Sequence, residues 1–520
     1  MIGQGVSDAP AEIRRCARKL YFLCVSFKRY CIHLLGIHKR ICAALPASAA
    51  VSLAGGERVF DRYRRGIVEP IAGERQDLIV GVEDKMTLKE YVVYGLQQVL
   101  VESSALTFPV VTGMALKLPR ETVQYMVQAY CIGAGIVTIT QSTRLLRLPV
   151  VQGPAAVFLS LTIALGATLG VGAVWTAMVI GGIVSALLAW PLGIWGKLRP
   201  IIAAPPIYGP LITLIGLSLT GVVIGLIIGK PGTPEFASGF NGMLAAITFL
   251  IAVTLVVYFK KGFLRFGAIL VAAITGSVIA SLAGRTNFAA VGNAAWFGLP
   301  KFLPFGWKFD LTACLIIFAG YTIAIIESMG NYILVGEIMA KQKIDEKRIN
   351  RGIFGEGLGS AVAALIGGSG TTSFGQNIGA LSVTGIGSRH VITSAGIIVL
   401  VLGFIPKVGA IVASVPPAVL GGIYILTWGM LIMQGIRVFG GMELTNLNMT
   451  IAGSSFMVGM GAYFLPPAFL ATLSPSLRAI MSTGLIGGTI VGVTLFVLFK
   501  IILRVDRKPV EDKEARGAAK

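Results

Sequence analysis

The chain has 520 residues, of which 55% are hydrophobic and only 13% charged, and its mean hydropathy is +0.81. These values exclude an ordinary soluble globular protein and indicate a polytopic membrane protein. The net charge of +20 would suggest nucleic acid as a partner, but Lys and Arg concentrate in the N-terminal region, loops and tail without aromatic interleaving, so we predict no nucleic-acid partner and retention on the cytoplasmic side.

Residues 1–86 form a basic N-terminal extension, which we expect to be cytoplasmic and poorly ordered or to result from an upstream start codon. Its apolar run 20–27 is far shorter than the roughly 20 residues that a span needs, so an interfacial basic helix is the alternative. This extension holds four of the six cysteines, none with C-x-x-C spacing: Cys16, Cys24, Cys31 and Cys42. We predict free thiols and no metal site.

Between Tyr91 and Leu503 the pattern predicts about fourteen membrane spans, two of them short and interrupted. They are 91–113, 121–142, 149–167, 171–191, 200–228, 241–259, 263–283, 309–336, 352–367, 371–386, 389–405, 408–433, 449–470 and 477–503. An even count puts both termini on one side. The predicted interior loops hold fourteen Lys and Arg residues against eight in the outer loops, which favours a cytoplasmic location for both termini in the cell (inner) membrane.

The predicted spans repeat after seven. Span one starts near 91 and span eight near 309, while spans three and ten start near 149 and 371, so the offsets of about 218 and 222 agree. Because seven is odd, the second half enters the membrane in the opposite sense, which predicts an inverted 7+7 repeat. The segment 148–157, which contains Gly and two Pro, and the polar, glycine-containing segment 371–379 occupy matching positions. Such paired interrupted segments indicate a binding site at the membrane midplane.

An acidic residue, Glu327, lies in the middle of the predicted eighth span. A carboxylate is costly there unless it is paired, protonated or exposed to a cavity, so it is a candidate for taking up and releasing a proton. The alternative is a structural carboxylate that binds helix hydroxyls. Asn331 lies one turn further on the same helical face.

Two amides, Gln376 and Asn377, follow Gly375 in the interrupted tenth span. A side-chain amide has donors and an acceptor, so it can match the N–H and C=O edge of a purine dione or a pyrimidine. The alternative is an amide that only satisfies frayed backbone.

Three further polar residues are less clear. Glu356, in the ninth span, is either buried and ionisable or close to the cytoplasmic surface near Arg351. In the first span, Gln98 and Glu102 share a helical face. For Glu102 a salt bridge or a solvated face is as good an interpretation as ion coupling.

The motifs of common enzymes are missing from the sequence. It contains no G-x-x-x-x-G-K-[ST], no H-E-x-x-H and no G-x-S-x-G. We therefore predict that the protein is not an enzyme and needs no cofactor.

The segment Gln376-Asn377-x-Gly379-x-x-x-x-Thr384-Gly385 resembles the signature of the nucleobase/ascorbate transporter family, also called nucleobase:cation symporter-2. Three other segments support the resemblance, which covers about 77–503. They are 95–100 (the family's first-span Gln-His motif), 327–331 (its eighth-span acidic motif), and 205–210 with 214–218 (its fifth span).

The resemblance implies an all-α fold of fourteen spans. Spans 1–4 and 8–11 would form a core (87–190 and 301–405), and spans 5–7 and 12–14 would form a gate (191–300 and 406–505). A cytoplasmic tail, 506–520, would follow. It also implies a homodimer. Glu327 and Gln376 would hold the base, Asn377 would steady the site, and main-chain amides near Ala156 and Gly375 would add contacts. Residues carried over with weaker support are Gln98 for the substrate, Glu356 for proton coupling, and Asn331, Glu102 and Thr384.

Departures from the family pattern narrow the range of expected substrates. Gln98 stands where His is common, and Asn331 where Asp or His is often found. Gln376 rather than Glu, with Gly385 rather than Lys or Arg, favours xanthine- and urate-type members. We therefore expect a proton-coupled purine importer, with Na⁺ as the alternative ion. A uracil-type symporter is the alternative function, and an anion exchanger or channel of similar fold is the alternative class.

Overall fold

The computed structural model describes residues 78–505 apart from 203, 230, 233–235, 260–262, 287, 441, 475–476, 479–480, 482–483 and 504. The predicted N-terminal extension up to residue 77, with its four cysteines, and the predicted tail 506–520 lie outside the described residues. The described part is mostly helical and belongs to one compact unit.

The described helices follow one another with short connections. In chain order they are α1 (Leu88–Glu102), α2 (Phe108–Ala115), α3 (Arg120–Thr140), α4 (Ala156–Leu169), α5 (Val171–Ala189), α6 (Ile194–Ile202), α7 (Pro205–Ser218), α8 (Thr220–Ile228), α9 (Gly239–Tyr258), α10 (Phe263–Phe266), α11 (Ala268–Leu282), α12 (Ala289–Asn293), α13 (Leu311–Ile333), α14 (Glu346–Leu365), α15 (Gly375–Thr384), α16 (Arg389–Gly403), α17 (Pro406–Val412), α18 (Pro417–Gly440), α19 (Asn446–Gly461), α20 (Pro467–Thr472) and α21 (Gly484–Phe496). π-Helical turns extend α3 to Leu145, α13 to Met339 and α21 to Ile502. Two short strands are β1 (Gln152–Pro154) and β2 (Thr371–Ser373).

Among the described residues, seven helices are long and apolar enough to cross a membrane, or eight if α16 and α17, which are bent by 89°, form one span. The prediction of a helical, multi-pass membrane protein is confirmed; the count of fourteen stays a prediction. Some predicted spans are divided. The segment 91–113 consists of α1 and α2, and Pro109 lies in the first turn of α2, where a missing backbone N–H costs least.

The two strands pair with each other in antiparallel register. Gln152 lies opposite Ser373 and Pro154 opposite Thr371. The pairing continues on both sides, since Ala155 N donates to Gly370 O at 3.0 Å and Phe374 N donates to Val151 O at 2.9 Å. In a membrane protein, extended backbone needs such partners because lipid supplies none. Helices α4 and α15 begin directly after the paired strands.

The strands also support the inverted repeat. β2 begins 219 residues after β1 (at 371 and 152), and α16 begins 218 residues after α5 (at 389 and 171), close to the predicted offsets. A two-fold axis in the membrane plane reverses the chain direction of corresponding segments, so repeat-related strands that meet at the axis run antiparallel.

The long helices pack in two groups. Helices α1, α3, α5, α13, α14 and α16 pack together, and we call this group the first bundle. Helices α7, α8, α9, α11, α18, α19 and α21 form the second bundle. Contacts across the boundary include those of α7 with α13. Each bundle thus combines helices from both halves of the chain.

A segment before α1 is tied to the end of α15. Ile79 N and Val80 N both donate to Gly385 O, at 2.7 and 3.0 Å, and Gly387 N donates back to Val80 O at 3.0 Å. Gly385 has a φ of 70°, and a Cβ there would lie 2.6 Å from Ile79. Glycine at this position therefore has a local structural reason.

The same segment is held by charge. Glu83 lies 2.8 Å from Arg389 and 3.1 Å from Arg147, which joins the segment to the start of α16 and to the loop before β1. The hydrogen bond from Arg389 holds the pKa of the Glu83 carboxyl below its usual value.

Glycines let α5 and α14 touch through their backbones. A Cβ on Gly182 would lie 2.7 Å from Gly357 O and 2.9 Å from Ala361 N. Close approach of this kind at small residues is how helices associate in membranes, where burial of apolar surface gives no advantage over lipid.

Gly182→Ala should therefore separate α5 from α14 and lower stability by about 1–3 kcal/mol through overpacking. Gly453→Ala is the matched control, because nothing lies within 4 Å of a Cβ at this helical glycine. Thermal unfolding of detergent-purified protein measures the effect. Equal melting temperatures for the two variants would contradict the proposed close approach.

Candidate functional site

The first component of the site is the face of α13 that lies against β2. Glu327 is half-buried, and Asn331, one turn later on the same face, is buried. The Asn331 amide Nδ2 donates to Ser373 O and to Ser373 Oγ, both at 2.9 Å. These bonds hold the Glu327 face of α13 at the end of β2.

The second component is the start of α15. A Cβ on Gly375 would lie 3.7 Å from Asn331 Oδ1, so the first turn of α15 adjoins the face that carries Glu327. Gln376, the next residue, is half-buried. No side chain caps α15 or α4, whose first residue is Ala156, so backbone N–H groups at both starts are free of side-chain acceptors. Such N–H groups attract polar or anionic ligand groups.

Glu327 and Gln376 keep their hydrogen-bonding capacity. Neither side chain bonds to another residue in the described part of the chain, and neither is fully buried. The structure thus brings Glu327, Asn331, Gly375 and Gln376 together. A carboxyl group that accepts and an amide that both donates and accepts are available to a ligand there.

Asn377 and Gln98 meet behind the start of α15. The Asn377 amide Nδ2 donates to Gln98 O at 2.9 Å and to Gln98 Oε1 at 2.8 Å, and both residues are buried. They join α15 to α1. In this arrangement their hydrogen bonds hold the start of α15 in place.

Glu356 lies on the far side of β2. Its Oε2 accepts from Ser328 Oγ at 2.7 Å and from the Tyr332 hydroxyl at 2.8 Å, and the residue is 2% exposed. Burial decides between the two sequence interpretations, since Glu356 is not at the surface. Ser328 follows Glu327 directly and also receives a hydrogen bond from Ser373 N at 3.0 Å. Ser328 thus links Glu356 to β2.

Glu102 is a further buried acid, 2% exposed. Its Oε1 would lie 2.7 Å from a Cβ on Gly153, and the Phe374 ring approaches the same point. Within the described residues this oxygen has no hydrogen-bond partner and the residue forms no salt bridge. Of the interpretations left open for Glu102, a salt bridge and a solvated face do not fit, because the residue is enclosed beside the strand pair; ion coupling stays a hypothesis.

Thr384 lies apart from these residues. Its Oγ1 donates to Ala380 O at 2.9 Å and accepts from Ile386 N at 3.2 Å, which completes the end of α15. Nine residues of helix separate it from Gly375, roughly 13 Å at 1.5 Å per residue. Thr384 is a capping residue in this structure.

Two second-bundle residues that the sequence interpretation missed lie against the site. A Cβ on Gly330 would be 2.7 Å from the Tyr208 hydroxyl of α7, and a Cβ on Gly375 would be 3.1 Å from Gln434 Nε2 of α18. Tyr208 lies inside the proline motif 205–210, which marked its helix but not its orientation. Gln434 could have been found from the sequence, because it is a polar residue in an otherwise apolar helix.

A cavity of about 700 Å³ opens between the bundles near the end of α13. Its lining includes the charged residues Arg199, Glu346, Glu443 and Lys500, and Ile333 of α13. Ile333 is six residues beyond Glu327, roughly 9 Å along the helix. Nowhere in the described residues do three or more His, Cys, Asp or Glu side chains gather in a way that could hold a metal ion.

Residues 89–468 match the model of a permease family, that of the xanthine and uracil permeases. The chain belongs to this family, the nucleobase/ascorbate transporters. It is therefore a membrane transport protein and not an enzyme, as we predicted from the sequence.

Individual relatives in this family are named as a uric acid transporter and a uric acid permease. The chain is 32% identical to the uric acid transporter UacT of Escherichia coli strain K12, over 78% of this chain and 86% of that protein. It is 29% identical to the uric acid permease PucK of Bacillus subtilis strain 168, over 79% of this chain and 96% of that protein.

A solved structure shares the fold. The murine Slc26a9 anion transporter in its inward-facing state matches with a TM-score of 0.57 at 12% identity, over 81% of this chain and 69% of that chain. At this identity the likeness shows the fold alone, which is that of transporters with a 7+7 repeat.

Tyr332→Phe should destabilise the protein by about 1–3 kcal/mol, because Glu356 then keeps only the Ser328 hydrogen bond while it remains buried. Tyr258→Phe is the matched control, since Tyr258 is 76% exposed. The melting temperatures of the two purified variants measure the difference. The role given to the Tyr332 hydroxyl is wrong if Tyr332→Phe unfolds at the wild-type temperature.

Proposed function

We propose that the protein is a secondary active transporter that imports a purine base of the xanthine or urate type together with a proton. The observation that carries this proposal is that the face of α13 with Glu327 adjoins the start of α15, where Gln376 lies. Both residues are half-buried, and neither side chain bonds to another residue in the described part of the chain. Family membership supports transport of a nucleobase, and the names of the uric acid transporter and permease support a purine.

The chemistry of an oxopurine suits these groups. Its ring N–H groups are donors for a carboxyl oxygen, and an adjacent N–H and C=O edge can form two bonds with the Gln376 amide. The backbone amides and helix dipoles at the starts of α4 and α15 would attract the carbonyl oxygens of the base. Ala156 and Gly375 are the residues at these starts.

The preference for a purine over uracil rests on Gln376. Gly385 was expected to favour a purine as well. The structure gives this glycine another reason, its positive φ and its contact with Ile79, so Gly385 carries no information about the substrate. A uracil-type symporter is the alternative function.

An anion exchanger is less well supported. Such a site needs a cation or bare helix N-termini without an acid, whereas here the face of α13 that carries Glu327 adjoins the start of α15. The resemblance to an anion transporter is limited to the fold.

The proposed cycle couples the base to a proton through Glu327. Glu327 takes up a proton or bonds the incoming base, and loss of the proton inside weakens binding. Glu356, which is buried and accepts from the hydroxyl of Ser328, the sequence neighbour of Glu327, is the second proposed proton-coupling group. H⁺ is the proposed ion, with Na⁺ as the alternative.

The proposed motion is that of a core against a gate. The first bundle corresponds to the core (87–190 and 301–405) and the second to the gate (191–300 and 406–505); the packing of the described helices supports this division. The base would leave through the cavity at the end of α13. We also propose cytoplasmic termini, the cell membrane as location, and a homodimer through the gate helices.

Glu327→Gln should abolish accumulation of labelled xanthine or urate above the external concentration, because the amide cannot carry a proton. Uptake is measured in cells that lack their own purine permeases, with and without a protonophore. Glu121→Gln, an exposed acid on α3, is the matched control and should accumulate the base like the wild type. Uphill uptake that persists in Glu327→Gln would remove the proposed role.

Gln376→Glu should change the choice of base, because one donor is lost and a charge is gained. We expect competition by xanthine and urate to weaken by about tenfold, the effect of one hydrogen bond at a buried site, while uracil competes better. Competition against the labelled base measures this. An unchanged order of competitors would count against Gln376 as a direct contact.

A further inference from the structure

Helices α7 and α18 of the second bundle cross at a pair of glycines. A Cβ on Gly435 would lie 2.9 Å from Gly209 O and 2.6 Å from Thr213 N, so the two backbones are in contact there. Tyr208 directly precedes Gly209, and Gln434 directly precedes Gly435. One tight crossing therefore fixes the positions of both side chains.

Tyr208 projects from this crossing onto α13. Atoms of its ring and hydroxyl would lie 2.7–3.1 Å from a Cβ on Gly330, so the side chain rests on a position that has no side chain of its own. Gly330 lies three residues after Glu327, on the same helical face.

Gln434 projects onto α15. Its Nε2 and Oε1 would lie 3.1 and 3.5 Å from a Cβ on Gly375, and Asn331 Oδ1 lies 3.7 Å from the same point. Gly375 is thus covered from the second bundle by an amide. That amide lies beside the residue that immediately precedes Gln376.

Both side chains have unused hydrogen-bonding groups. Tyr208 and Gln434 are half-buried, and neither forms a side-chain hydrogen bond with another residue in the part of the chain that the structure describes. A polar group in an apolar span is costly unless it finds a partner, so these two groups, one beside Gly330 and one beside Gly375, are candidates for binding a ligand.

We propose that Tyr208 and Gln434 form the second half of the binding site and determine which oxopurine is accepted. The Gln434 amide pairs with an N–H and C=O edge of the base that Gln376 leaves free, and the Tyr208 hydroxyl donates to a ring carbonyl. Xanthine, which has two ring carbonyls, then gains more from these residues than hypoxanthine, which has one. This inference rests on the proposed function.

The test compares Gln434→Met and Tyr208→Phe with wild type. Each substitution keeps the size of the side chain and removes its hydrogen-bonding group, and Tyr208→Phe also keeps the ring that covers Gly330. KM and maximal rate are measured for labelled xanthine and hypoxanthine. We expect the KM for xanthine to rise about tenfold and that for hypoxanthine by clearly less, with maximal rates near wild type.

Met433→Leu is the matched control, because Met433 precedes Gln434 and is 58% exposed. Wild-type KM values for both bases in both variants, with Glu327→Gln still inactive, would overturn this inference and leave the proposed function standing. An equal loss of rate for both bases would also overturn it, since it indicates damage to the fold. If the wild-type protein binds no purine, this inference and the proposed function both fail.

Discussion

The structure depends on the hydrogen-bonded pairing of two short strands inside a bundle of membrane helices. Each strand alone would expose unsatisfied N–H and C=O groups where no water is available, at several kcal/mol for each group. Because β1 and β2 run antiparallel, each satisfies the other. Two helices can then begin inside the protein, which provides free amides at Ala156 and Gly375 without an open backbone edge.

The polar side chains around the strands follow from this constraint. Asn331 and Ser328 of α13 bond to Ser373 of β2, and Ser360 of α14 accepts from Thr371 N at 2.8 Å. Most buried polar groups in this region thus hold the strand pair in place. Glu327 and Gln376 differ because they are half-buried and make no such bonds among the described residues, and this contrast is why we propose them, and not the supporting residues, as ligand-binding groups.

Sequence patterns could predict whatever depends on composition and on regular spacing. The membrane class and the matching positions of the two segments that form β1 and β2 follow from the position of polar residues and glycines in apolar segments, whereas the joint role of Glu327 and Gln376 stays a prediction. Orientation could not be predicted in this way. Whether Glu356 faces the surface or Ser328, and whether Thr384 faces a ligand or caps α15, depends on helix rotation and on tertiary contacts. The role of Gly385 depends on Ile79, which lies 306 residues earlier (79 to 385).

The division of the site between two bundles connects selectivity with transport. The strand pair is attached to α3, α13 and α14, since Thr138 of α3 also bonds to Gln152 at 3.0 Å. In the proposed cycle, Glu327 and Gln376 therefore move with the first bundle. Tyr208 and Gln434 lie at the glycine crossing of α7 and α18, so in the same cycle they move with the second bundle. A base that bonds to both proposed halves would stabilise the state in which the bundles are close, whereas a base that lacks one edge would not. Displacement of one bundle against the other would then both open the proposed site and weaken binding of the base, as release on one side of a membrane requires.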